Sequence, residues 1–117
     1  MGKFEELKVW QRAKDLAVYV YKLTSHWKDF GLRDQMRRAA VSAPSNIAEG
    51  DEYGSDKQAI RFFRVAKGSV AEFLTQSIIA REVDYIIENE FHFIQEECKG
   101  ISAMLAKLID ARSRTSL

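Results

Sequence analysis

A single cysteine, a single proline and the want of any uncharged apolar run near the ~20 residues that span a bilayer exclude three classes of protein at once. Cys98 alone cannot close an internal disulfide, and a lone thiol suits a reducing cytoplasm, where the protein is expected to work without a membrane. The opening MGKFEELKVW places Glu5 and Glu6 where a signal peptide would begin its apolar region, and Glu6 also stands where a myristoylation signal needs serine or threonine. Charge of one sign is missing too. Lys and Arg number 18 against 17 Asp and Glu, a formal net charge of +1, so no overall field gathers polyanions and any nucleic-acid site must be a local patch.

Catalytic constellations are equally scarce. There is no phosphate-cradling glycine loop and no dinucleotide glycine pattern. A carboxylate di-metal bundle needs Glu-x-x-His on two helices, but the residues three before His26 and His92 are Leu23 and Asn89. Glu88, His92 and Glu96 share one helical stripe opposite the apolar seam and read as a solvated face, while Cys98 falls within that seam and reads as a small core residue. No cofactor, no metal and no enzymatic activity are expected.

What is present is helical amphipathicity. At 117 residues, 46% hydrophobic and 30% charged, the chain has the composition of one domain with one core, taken here as residues 1–117. Val9, Trp10, Ala13, Leu16, Ala17, Val20, Tyr21, Leu23 and Trp27 share a broad face of a first helix over about 4–28. Met36, Ala39, Ala43 and Ile47 form the stripe of a second over about 32–49, with Gly50 as its natural stop. Ser55 and Gln58 make a capping box opening a third, over about 56–82, in which Gly68 and Ser69 read as a close helix contact. Phe91, Ile94, Cys98, Ile101 and Leu105 keep three-four steps through a fourth over about 88–112, before a tail, ARSRTSL, expected to fray. Short connections between long helices predict an all-α, antiparallel up-down-up-down four-helix bundle.

The stretch RRAAVSAPSNIAEG is the unusual one. Gln35, Arg38, Ser42, Asn46 and Glu49 are spaced three, four, four and three apart and lie beside the apolar stripe, as a buried polar network that fixes helix register would. Pro44, inside the helix, is expected to kink it and to point outward with Val41 and Ala48, forming a small uncharged face suited to an oligomer interface. The candidate nucleic-acid patch is basic: Lys57, Arg61 and Arg64 share the outer side of helix three, with Arg37 on the back of helix two. An ordinary solvated face is the alternative, because Glu72 and Glu82 continue that side with opposite charge.

The blocks LKVWQRAKDLAVYVY, FGLRDQMRRAAVSAPSNIAEG, FFRVAKGSVAEFLTQ and VDYII, in that order, resemble the four-helix-bundle family of 23S rRNA intervening-sequence proteins, to which Avd-like accessory proteins of diversity-generating retroelements also belong. The resemblance implies the bundle fold, a ring-shaped homopentamer, and a nucleic-acid or reverse-transcriptase-type partner. A purely structural adaptor that joins proteins without nucleic acid is the second reading. The chain departs from the strongly basic accessory members in its near-neutral charge. It also carries Asp84 where relatives have a helix-ending glycine, and Ile87 where they offer a capping hydroxyl.

Overall fold

The structure, a computed structural model, describes residues 3–115. A 3-10 turn, Lys3–Glu6, leads into four helices: α1 (Lys8–Leu23), α2 (Phe30–Glu52), α3 (Asp56–Glu82) and α4 (Glu88–Thr115). No strand occurs among the described residues, and none of their helices is long and apolar enough to cross a membrane.

Helix ends follow local chemistry where such chemistry exists. Asp29 caps α2, its Oδ1 accepting from the Leu32 N–H at 3.1 Å, and Ser55 caps α3 by accepting from the Gln58 N–H at 3.2 Å. The Asp84 position does what a glycine would do: its φ is +65°, the Tyr85 N–H reaches the Ala80 carbonyl at 2.8 Å and the Asp84 N–H the Arg81 carbonyl at 3.0 Å, a Schellman closure of α3. At Ile87 the hydroxyl is replaced by a different half of the capping box, in which Glu90 Oε1 accepts from the Ile87 N–H at 2.9 Å.

Four boundaries depart from the periodicity reading: α1 begins at Lys8 rather than near residue 4, where the 3-10 turn Lys3–Glu6 stands instead, and three helix ends differ for tertiary or local reasons. α1 ends at Leu23 rather than near residue 28: past Thr24 the backbone tightens to bonds three residues back, Ser25 N–H to the Lys22 carbonyl at 3.3 Å and Trp27 N–H to the Thr24 carbonyl at 3.1 Å, while Arg37 takes the freed Tyr21 carbonyl at 3.2 Å. α2 does not stop at Gly50. A β-carbon there would sit 2.7 Å from Phe63 and 3.1 Å from the Ala59 carbonyl, so the glycine serves helix approach rather than helix ending. α4 runs on to Thr115 because Arg112 is held by Asp56 at 3.1 Å and Asp51 at 3.6 Å, with its guanidinium 5.7 Å from the Phe63 ring. Residues 116 and 117 of the tail lie outside the described residues.

The four helices form a bundle in which each packs on its neighbours in the chain and α1 closes on α4, the α2 and α3 pair most extensively. Paired contacts run in opposite senses along α2 and α3 (Ser42 with Ser69, Gly50 with Phe63), α3 and α4 (Asp56 with Arg112, Arg81 with Phe91) and α1 and α4 (Arg12 with Glu97, Tyr19 with Phe93). Phe63, Phe73, Met36, Ile47, Ile94 and Leu105 fill the centre, wholly shielded from water. At one end Tyr85 donates to Asp29 Oδ2 at 3.0 Å and packs edge-on against Trp27, which ties the α1–α2 connection to the α3–α4 connection.

Candidate functional site

The polar stripe of α2 divides into an inner part and an outer part. The Asn46 amide donates to the Ser42 carbonyl at 2.8 Å and to Ser42 Oγ at 3.1 Å; Ser42 Oγ lies 2.8 Å from Ser69 Oγ on α3; and the Ser69 hydroxyl donates to the Val65 carbonyl at 3.1 Å. These bonds form one connected chain through Asn46, Ser42, Ser69 and Val65 that fixes α2 against α3 in register. Gln35, Arg38 and Glu49 are exposed and make no side-chain hydrogen bond or ion pair among the described residues, so they are not members of a buried network. They sit on the rim, where Gln35, Arg38 and Ser42 face Glu72 of α3 across a shallow groove. Asn46→Ala should therefore lower stability by about 1 kcal/mol, whereas Glu49→Ala should stay within about 0.5 kcal/mol of the parent in thermal melts.

The outward face expected of α2 is only partly outward. Val41 is exposed and Ala48 half-buried, but Pro44 is buried with Ala40 and Ala43. The correction has a plain cause. α2 packs against both α1 and α3, so its buried arc is wider than a single stripe and takes in the proline. The helix runs through Pro44 without interruption, and polar side chains serve the adjoining turn: Ser45 Oγ donates to the Val41 carbonyl at 2.9 Å while Asn46 serves Ser42.

Arg37 also departs from its expected place. Its Nε donates to Thr24 Oγ1 at 2.9 Å, its Nη2 to the Tyr21 carbonyl at 3.2 Å, and its guanidinium lies 4.5 Å over the Tyr21 ring. A cation thus caps the carbonyl end of α1 and stands apart from the other three basic residues. Lys57, Arg61 and Arg64 are all exposed on the outer side of α3, around a broad hollow also lined by Ser55, Gln58 and Val65. None of the three makes an ion pair among the described residues. Most other arginines are bound, Arg12 by a two-pronged bond to Glu97 at 2.8 and 3.1 Å, which raises its pKa, and Arg81 4.0 Å over Phe91, whereas Arg38 and several lysines, Lys67 among them, are as free of ion pairs among the described residues as the trio. Gly68, read from sequence as a close contact, is exposed with open space around it, and the contact is made by Ser69 alone.

Reactive groups are few. Burial, helped by the charge of Glu97, pushes the Cys98 thiol up to about 12, so it stays protonated and unreactive through neutral pH. His92 and Glu96 are exposed, and among the described residues no three His, Cys, Asp or Glu side chains are placed to hold a metal ion. Two features gave no sequence signal. Gln76 is buried on α3 with its Oε1 lacking a hydrogen-bond partner, and Tyr53 stacks on Phe62 at the α2–α3 corner, with centroids 5.0 Å apart and planes 14° from parallel.

The family model of the 23S rRNA-intervening sequence protein matches residues 5–107. A crystal structure of a protein of unknown function from the S23 ribosomal protein family of Bacteroides thetaiotaomicron shares the fold, with a TM-score of 0.81 and 22% sequence identity, over 86% of this chain and 97% of that one. No curated protein gives a significant match.

Proposed function

The chain belongs to the 23S rRNA-intervening sequence protein family, and on that premise we propose that it is a non-enzymatic binding scaffold that assembles with copies of itself and holds nucleic acid on the outer face of α3. The observation that carries this reading is the trio Lys57, Arg61 and Arg64. In a chain whose charges nearly cancel and whose other arginines are largely tied to carboxylates, carbonyls or rings, three solvated cations without ion-pair partners stand over roughly 10 Å of one helix. Their chemistry suits phosphates and does not select sequence. Three cations per subunit give modest affinity alone. Several subunits engaging one strand would raise it through effective concentration, which is why self-association, as the pentamer expected of this family, belongs to the proposal.

The exposed Val41 and the mixed groove of Arg38 and Glu72 favour a protein-joining surface as the second reading. One titration separates the two. The intact protein, sized first by light scattering to a multiple of its 13.4 kDa mass, is titrated with RNA and with DNA at low and at physiological salt. Binding should weaken steeply with salt. The combined change of Lys57, Arg61 and Arg64 to glutamine should flatten the slope of log affinity against log salt by up to about 3 for each subunit engaged. No binding at low salt, or a slope indifferent to the three substitutions, transfers the function to the protein-joining surface.

A further inference from the structure

At the corner where α2 passes into α3, the helix that carries the basic trio, two aromatic rings stack on each other at the edge of the core. Tyr53 follows α2 in extended backbone, φ −74° and ψ 144°, and its ring lies nearly parallel on Phe62 at 5.0 Å. Phe62 is half-buried in the bundle, whereas Tyr53 keeps 47% of its surface in water. One face of the tyrosine is thus backed by a ring anchored in α3, and the opposite face is turned outward.

A large, exposed and pre-oriented aromatic face at a helix corner is costly to leave in water, and its neighbours narrow what would cover it. Phe62 stands one residue past Arg61 and so about 100° round α3 from it, with Lys57 one turn before Arg61, so the stacked rings flank the basic stripe and are not part of it. An aromatic flank on the same helix as unpaired cations suits a single nucleic-acid strand crossing the helix, with a base stacking on the rings while phosphates follow the charge. A duplex keeps its bases stacked on one another and offers the tyrosine nothing.

We propose that Tyr53, backed by Phe62, is a stacking platform for an unpaired nucleobase, so that the outer face of α3 binds single-stranded rather than double-stranded nucleic acid. This rests on the phosphate-tracking reading of Lys57, Arg61 and Arg64 and names the form of the ligand. The stacked base forms no directional bond to the ring, so the platform accepts any base and shows at most mild preference among them. Rigidity is part of the design. Phe62 holds the tyrosine ring flat before the strand arrives, which reduces the ordering cost of binding.

The test uses the full-length protein and four ligands of one sequence: single-stranded RNA, single-stranded DNA and the two corresponding duplexes, each titrated at low salt. The single strand should bind more tightly than its duplex, and Tyr53→Ala should weaken single-strand binding about tenfold, with Tyr53→Trp retaining it. Because Tyr53→Ala removes no charge, the salt slope should stay as in the parent, in contrast to the glutamine variants. A tenfold loss on either strand supports the platform and identifies which strand it serves. Affinity unchanged by Tyr53→Ala, or equal for strand and duplex, overturns the platform and leaves the charge reading standing. No binding by any ligand overturns both. Far-ultraviolet circular dichroism and thermal melts of the variants, expected to match the parent for so exposed a side chain, keep a folding defect from imitating the result.

Discussion

Phe63→Ala should destabilise the protein by about 3–5 kcal/mol, read as a lower urea midpoint at unchanged slope. The ring is wholly shielded from water and lies where α2, α3 and α4 meet. Gly50 of α2 rests against its edge, and the Arg112 guanidinium of α4 lies 5.7 Å from its centroid. The cost falls at the upper end of the range because the void cannot easily collapse. Ser42 and Ser69 hold α2 and α3 in register, and Arg112 is fixed between Asp51 and Asp56. A cavity among constrained helices keeps its full loss of contact. A loss below about 2 kcal/mol would mean that the helices close over the gap and that these ties are slack.

The ring was legible in the sequence, and its partner was not. Phe63 stands in a repeat with Ala59, Phe62, Ala66 and Val70, so periodicity places it inside, although it places Phe62 there as well, which the fold leaves half-buried. Gly50 looked like a helix stop, because the property that decides its role, how near α3 comes, is stored in residues thirteen positions away. The same division runs through the whole chain. Caps at Ser55 and the left-handed position at Asp84 are settled within a few residues and could be read or suspected directly. Pro44 could not, since a wheel drawn for one stripe does not know that α2 has neighbours on two sides. Among the basic residues, sequence identified the charges but not their employment: Arg37, Arg12 and Arg112 look as available as Arg61, and only folding ties the first three to Thr24, Glu97 and Asp56. The Tyr53 and Phe62 stack is a contact across a corner and leaves no periodic trace.

Gly50→Leu is the second substitution with a large expected effect, about 3 kcal/mol of lost stability. A side chain at this position gains about 1 kcal/mol of helix propensity over glycine. Against that gain stands a β-carbon 2.7 Å from Phe63 and 3.1 Å from the Ala59 carbonyl, and the second of these contacts is backbone that no rotamer change can move. The helices must separate, which also stretches the Ser42 and Ser69 contact two turns away. Because leucine would grow into the volume that Phe63 occupies, Gly50→Leu and Phe63→Ala together should cost less than their sum. Denaturation of the parent, both single variants and the double variant measures that coupling. Strict additivity would show that the two residues do not share the space. Gly68→Ala serves as the control, its β-carbon meeting nothing within 4 Å, so that only the gain in propensity remains.

The contacts that join α1 to α4 have a consequence in time. Arg12 and Glu97 are separated by 85 residues, whereas Ser42 and Ser69 are separated by 27. Loop entropy makes the first closure about 1 kcal/mol dearer than the second, before any packing rewards it, and α1 shares less surface with α4 than α2 shares with α3. The α2–α3 hairpin is therefore the economical nucleus, tied by its hydroxyls and closed by its glycine. α1 reaches α2 over only 13 residues, through Arg37 and Thr24, so the costly closure is the seam between α1 and α4, which the two-pronged bond between Arg12 and Glu97 fastens.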